Sequence, residues 1–369
     1  MNRFTSQVAG RVLTPVVLLA LCVDCGGSGH GGSSGNTTPV PGVPSTQSSS
    51  IALSVDGNFL VNVNPDAGTV SVFQPAAMSK LAEITVGGDP QSVAIHPSQP
   101  RAYVANARSG TVSVVPLPNG PVSNTIVVGS EPMALALSPN GTRLYVANSA
   151  SNTISVLDTS TNLVTATVDL SSFGSAPRGV SVTNNGNLID TDETIYVAMF
   201  FAQLRAGKTF LDEGQDDQRE GRVVAISAAT NLPAGGTNPV LLAPMTSAGF
   251  NGNGKLAPAP AQVPSVASTN PQTFTTPTGA FPNQLASIAL RPGSTRAYVV
   301  STGASPNGPL RFNSMVQGLV SVFDTTTGAE ITAVQTDPTL RRTAPLNMNQ
   351  GVNLGTAPRL FLSNPVAMT

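Results

Sequence analysis

The chain has 369 residues, of which 40% are apolar and only 10% charged, with a formal net charge of −1. It carries no Lys/Arg cluster that could neutralise a phosphate backbone or an anionic membrane surface, so nucleic acid is not an expected partner. Its 35 glycines and 31 prolines, set among abundant Thr, Ser, Asn and Val, suit short strands and frequent turns, and the composition reads as all-β.

The amino terminus is set apart from the rest. "MNRFTSQVAGR" supplies Arg3 and Arg11 without an acid, and the apolar "VLTPVVLLALCV" that follows is shorter than the roughly 20 residues a membrane span requires. Residues 1–25 therefore read as an export signal. "LALC", Leu19 to Cys22, resembles the lipobox of bacterial lipoproteins, with Leu21 where that family prefers a small residue. Lipidation at Cys22 and a plain signal peptide both stay open, so the expected location is the periplasm, or, with the lipid, the membrane-anchored or cell-surface state of a lipoprotein. Cys25, preceded by Asp24, is the poorer acceptor. No cysteine follows it, so an exported body has no disulfide framework and must rely on its core. Residues 26–50 are Gly/Ser/Pro-rich and read as a disordered tether.

From residue 51 the chain repeats itself. "ALSVDGNFLVNVNPDAGTVSVF", "AIHPSQPRAYVANARSGTVSVV" and "ALSPNGTRLYVANSASNTISVL" begin at Ala52, Ala94 and Ala136, a step of 42 that Thr69, Thr111 and Thr153 reproduce. A period in the low forties with several short β-rich runs per repeat is the signature of a propeller blade. Within one repeat "ALAL" suits a buried innermost strand, and "SPNGTR" a turn with Asn140 and Gly141 at positive φ. "RLYVAN" and "NTISVLD" suit the second and third strands, and "LVTATVDL" alternates as a half-wet outer strand should. Two distorted repeats follow, carried by "TIYVAMF" with "RVVAISAATN" and by "SIALRPGSTRAYVV" with "LVSVFDTTTG". The expected blades are 51–91, 92–132, 133–177, 178–286 and 287–350, with a partial sixth over 351–369 that "NPVAM" would begin.

These repeats, "LYVANSASNTISVLDTSTNLVTATVDL" above all, resemble the YVTN family of bacterial β-propellers. The resemblance implies four-stranded antiparallel blades in a ring that commonly closes with seven. Five blades and a stub thus predict an incomplete ring and a chain that is a piece of a longer protein, a compact five-bladed closure being the alternative. Relatives of this kind serve as adhesion modules, as lactonases and as parts of haem or copper reductases. Function must therefore come from sites.

Extra sequence accumulates at one place in the repeat. Tyr145 to Thr153 spans 8 residues, whereas Tyr196 to Arg222 spans 26 and Tyr298 to Leu319 spans 21. A third insertion, 232–286, joins the fourth blade's outer strand to the fifth blade's inner strand. In an antiparallel blade these loop classes emerge on one face, and long loops on a rigid scaffold are where binding sites reside. Arg205, Lys208, Asp212 and Arg311 mark the expected interaction face, for a protein, glycan or small-molecule ligand.

Metal and catalytic signals are weak. Asp212, Glu213, Asp216 and Asp217 offer oxygen ligands for calcium but match no EF-hand spacing, and a solvated acidic loop is the blander reading, also for "DTDET" at 190–194. "GFNGNGKL" at 249–256 has Leu256 where a phosphate loop needs Ser or Thr. The two histidines are His30, in the tether, and His96, in a turn on the face opposite the insertions, which argues against a Ser/His/Asp triad. No cofactor is expected and no pair of carboxylates stands out. An exported binding or scaffold propeller is the leading expectation. A lactonase-like hydrolase, or the propeller part of a larger redox protein, is the alternative.

Overall fold

The computed structural model describes residues 49–212, 214–236, 238–245, 279–291, 293–306 and 316–331, with the backbone of 346–347. The export signal with Cys22, most of the tether, Glu213, residues 249–256, Arg311 and the partial blade 351–369 lie outside the described residues.

Five antiparallel sheets follow one another along the chain. The first holds β1 (Ile51–Leu53), β2 (Leu60–Asn64), β3 (Thr69–Gln74) and β4 (Ser79–Thr85). The second holds β5 (Pro90–Ile95), β6 (Arg101–Asn106), β7 (Thr111–Pro116) and β8 (Asn124–Val127). The third holds β9 (Pro132–Leu137), β10 (Arg143–Asn148), β11 (Thr153–Asp158) and β12 (Leu163–Asp169). In the fourth, β13 (Pro177–Val182), β14 (Thr194–Leu204) and β15 (Arg219–Ser227) are bordered by two short pieces, β16 (Leu232–Pro233) and β17 (Val240–Leu242), both paired with β15. The fifth repeats that plan with β18 (Phe281–Leu290), β19 (Arg296–Ala304) and β20 (Val316–Asp324), bordered by β21 (Ala329–Glu330) and β22 (Leu346–Asn347).

The innermost strands pack in chain order, β5 against β1 and β9, β13 against β9 and β18. The molecule is a β-propeller of five recognisable blades, and its ring is not closed. Its core lies between blades. Val61, Val63, Val70 and Val72 of the first blade meet Val93, Ala102, Val104 and Val115 of the second. Tyr103 reaches Leu135, Leu144 and Leu157 of the third, Tyr145 reaches Val180, Ile195 and Val224 of the fourth, and Tyr196 reaches Ile288, Val299 and Phe323 of the fifth. Sandwiching explains why "RAYVAN" and "RLYVAN" do not alternate: after the first residue, every position of β6 and β10 is buried.

The terminal Asn of these strands closes each blade. Asn106 Nδ2 donates to Thr111 Oγ1 (3.1 Å) and Ser113 Oγ (2.9 Å), and its Oδ1 accepts from the Gly87 N–H at 3.1 Å, the link arriving from the preceding blade. Asn64 and Asn148 repeat the two donations to their own Thr and Ser. In the turn expected at "SPNGTR", Gly141 adopts positive φ (78°) but Asn140 does not, because its backbone N–H and its side-chain amide are both held by Asp190.

That carboxylate corrects the reading of 190–194 as a solvated acidic loop. Asp190 is buried and accepts from Ser138 Oγ (2.6 Å), Asn140 N (2.9 Å), Thr142 N (3.1 Å) and Thr142 Oγ1 (2.5 Å), joining the fourth blade to the third. Glu193, also buried, accepts from Thr183 Oγ1 and from the Asn185 N–H. Both carboxylates are structural.

Candidate binding face

Strand direction puts the ends of β14 and β19 and the starts of β13, β15, β18 and β20 at one mouth of the propeller, where the insertions leave the sheets. The insertions are tied together there. Asp216 Oδ2, in the β14–β15 loop, accepts the Gly279 N–H at 2.8 Å, and Gly279 O accepts from Ser305 Oγ beyond β19. Met245 and Ala280 exchange backbone hydrogen bonds of 2.7 and 3.1 Å, and the Ala202 N–H donates to Asn283 Oδ1 at 3.0 Å. All three insertions therefore contribute to one face. His96 lies on the other, where its ring abuts Gly141.

Apart from Asp216, the described acidic and lysine side chains of the β14–β15 loop find partners within it. Asp212 Oδ2 accepts the Thr209 N–H (2.7 Å) at a short 3-10 turn, Phe210–Asp212, and these bonds hold its carboxyl below the usual carboxylate range. Lys208 Nζ binds Gln215 Oε1 and Asp217 Oδ1, both at 2.9 Å, and Arg205 approaches Asp217 at 3.9 Å. Arg222 braces the loop's base, donating to Phe173 O (3.2 Å) and Leu204 O (3.4 Å) and pairing with Glu220 at 3.3 Å. Asp212, Asp216 and Asp217 thus have separate partners, and among the described residues no group of three or more His, Cys, Asp or Glu is arranged to hold a metal ion.

The most exposed large side chains of the loop are apolar. Phe210 is 75% exposed and Leu211 96% exposed, side by side on the 3-10 turn, and Phe201 is exposed at the same mouth. The sequence reading chose the charged residues of 205–217 and missed this pair; two adjacent large apolar residues inside a polar loop were the available signal.

A second set of mouth residues was also missed. Each innermost strand from the second to the fourth blade starts with a β-bulge around its first proline, at Pro90, Pro132 and Pro177. The residues before these prolines, Asp89, Glu131 and Ala176, take positive φ (58°, 53° and 58°), and their carbonyls accept the N–H groups of Ala107, Ser149 and Phe200. Bulges re-aim the side chain they displace. Here the displaced residues are Gln91, Met133 and Arg178, all half-buried, and only "GDPQ", "SEPM" and "SAPR" in register would have exposed the series.

No protein-family model matches the chain, and no curated protein matches it in sequence. Among solved structures, Kuenenia stuttgartiensis hydrazine synthase aligns with a TM-score of 0.57 at 18% identity, over 86% of this chain and 70% of that one. A functionally unknown protein from Desulfotomaculum acetoxidans aligns at 0.45 with 13% identity, covering 77% of this chain and 70% of its own. The WD40 repeats of RRP9 align at 0.40 with 12% identity, covering 74% and 61%. At such identities the likeness to hydrazine synthase carries the fold alone.

Proposed function

We propose that this chain is an exported binding propeller of the YVTN type, anchored or released at its amino terminus, which captures a protein partner at the insertion-bearing mouth. The observation that carries the reading is the β14–β15 loop. Lys208, Asp212 and Asp217 of this loop are held by partners within it while Phe210 and Leu211 stand in water, an arrangement that costs solvation and orders a knob suited to a partner's apolar pocket. Glycans and small ligands are served less well by a protruding apolar pair than by a concave polar one.

The test is capture from the host's envelope fraction with the purified chain, followed by affinity measurement on the captured protein. Phe210→Ser with Leu211→Ser should weaken binding at least tenfold while leaving the unfolding midpoint close to that of the parent, and deletion of 206–219 should abolish it. Unchanged affinity after the double substitution would refute the reading.

A further inference from the structure

Arg178 is the bulged residue of β13, at the mouth end of the fourth blade's innermost strand. Its guanidinium lies 4.6 Å from the centre of the Phe200 ring, and Phe200 meets Phe201 edge-on with ring centres 5.0 Å apart. The arginines at the loop's base behave differently. Arg219 donates to Ala202 O, and Arg222 donates to two carbonyls and to Glu220. Arg178 has no hydrogen bond or ion pair among the described residues. Glu131, on the neighbouring blade's bulge, is near enough to act on it through space but forms no salt bridge with it. Burial disfavours the charge, as the lowering of its pKa from the ordinary arginine value records. A half-buried guanidinium stacked on an aromatic ring, with its donor edge unengaged among the described residues, is incomplete as a structural device.

We propose that Arg178 and Phe200 form a receiving site for a carboxylate attached to an apolar group, the chemistry of a partner's acidic side chain or chain terminus beside a hydrophobic residue. The guanidinium fork presents paired donors matched to a planar carboxylate, and Phe200 and Phe201 provide the apolar flank. Charge favours a carboxylate over a phosphate. Glu131 is near enough to act on Arg178 through space, so a dianion at this site meets more repulsion than a monoanion. The inference rests on the binding reading above but uses different residues, which allows the two to fail separately.

The experiment is calorimetric or NMR titration of the full chain with N-acetylphenylalanine, with its amide, and with inorganic phosphate. The free acid should bind in the millimolar range, with the amide and phosphate at least tenfold weaker. Arg178→Gln should lose at least tenfold in affinity for the acid, and Arg178→Lys should lie between. Glu131→Gln should bind the acid several-fold more tightly, a gain that misfolding cannot mimic. Equal binding of acid and amide, equal or tighter binding of phosphate, or an unchanged affinity in Arg178→Gln would each overturn the carboxylate site. If Phe210→Ser with Leu211→Ser loses the partner while the acid still binds through Arg178, both readings stand; if the acid binds but partner capture is untouched by that double substitution, only the loop reading falls.

Discussion

Asp190 shows how much one residue can hold. Burial pushes its pKa up, but the donors from Ser138, Thr142 and Asn140 outweigh that and leave it below the usual aspartate value. Asp190→Ala would remove the one acceptor that these donors share, the buried Ser138 among them, so a loss of about 2–4 kcal/mol is expected, measured by urea unfolding. A carboxylate with a depressed folded pKa stabilises fully above its unfolded pKa, and that contribution fades as pH falls through the acid range. His96 acts in the same direction, but nearer neutrality. Burial, then Arg101, lowers its pKa, and its Nδ1 already accepts N–H groups from Ser98 (3.2 Å) and Gln99 (3.1 Å), so the folded state fits the neutral ring. The unfolded chain binds a proton more readily here, so stability is present above about pH 6.5 and declines below it. His96→Asn should flatten the change in unfolding midpoint between pH 7.5 and 5.5; an unaltered slope would remove His96 as its source. Neither role was legible locally. The partners of Asp190 lie roughly 50 residues upstream, and one carboxylate in "DTDET" looks like any other until the blades are stacked.

At the scale of the element, the repeat unit was legible because its pattern serves packing. All four tyrosines, Tyr103, Tyr145, Tyr196 and Tyr298, occupy the same place on a second strand. Three of them are buried against the following blade, and the Tyr196 hydroxyl also donates to Thr325 O of that blade at 2.8 Å. Tyr298 is only half-buried. Tyr145→Ala should therefore cost about 3–5 kcal/mol, and Tyr298→Ala clearly less, with chemical unfolding of both variants as the measurement. The spacing from glycine to asparagine carries a similar constraint. A Cβ at Gly129 would fall 2.7 Å from Asn148 Cγ, so Gly129→Ala should destabilise by about 1–3 kcal/mol, and the double variant with Asn148→Ala by less than the two separate effects combined. In the fourth blade Met199 takes the place of the asparagine, and Gly174 faces it at a roomier 3.3 Å. The sequence showed this blade as distorted, but the exchange of a hydrogen-bonded hub for an apolar contact appears only when the strands are aligned in space. The bulges at Pro90, Pro132 and Pro177 were opaque for a related reason, since a one-residue excess in a strand changes the pairing register without changing the composition.

Taken whole, the molecule presents two flanks where a closed ring would have none. On the first blade Ile51 is 47% exposed and Leu53 56%, whereas Val93, one repeat later than Ile51, is fully buried. On the fifth, Tyr298 remains half-buried where Tyr145 is covered completely. The sequence pointed to this outcome through its blade count, because each blade needs a neighbour on both sides and the described blades make only an open series. Propellers normally remove such flanks by closure, and an unclosed series offers apolar faces to any partner of matching shape, including a second copy. In purified form, a chain beginning at residue 42 should therefore associate in a concentration-dependent manner by sedimentation velocity. Leu53→Lys with Tyr298→Lys should suppress that association, since a desolvated lysine on a packed flank is costly whereas the same lysine on a monomer's surface is not. Because both positions are already partly in water, the double substitution should leave monomer stability within about 1 kcal/mol of the parent. A parent chain that stays monomeric across the accessible concentration range would show that these flanks are covered within the molecule, and blade burial alone would then give the wrong account of its stability.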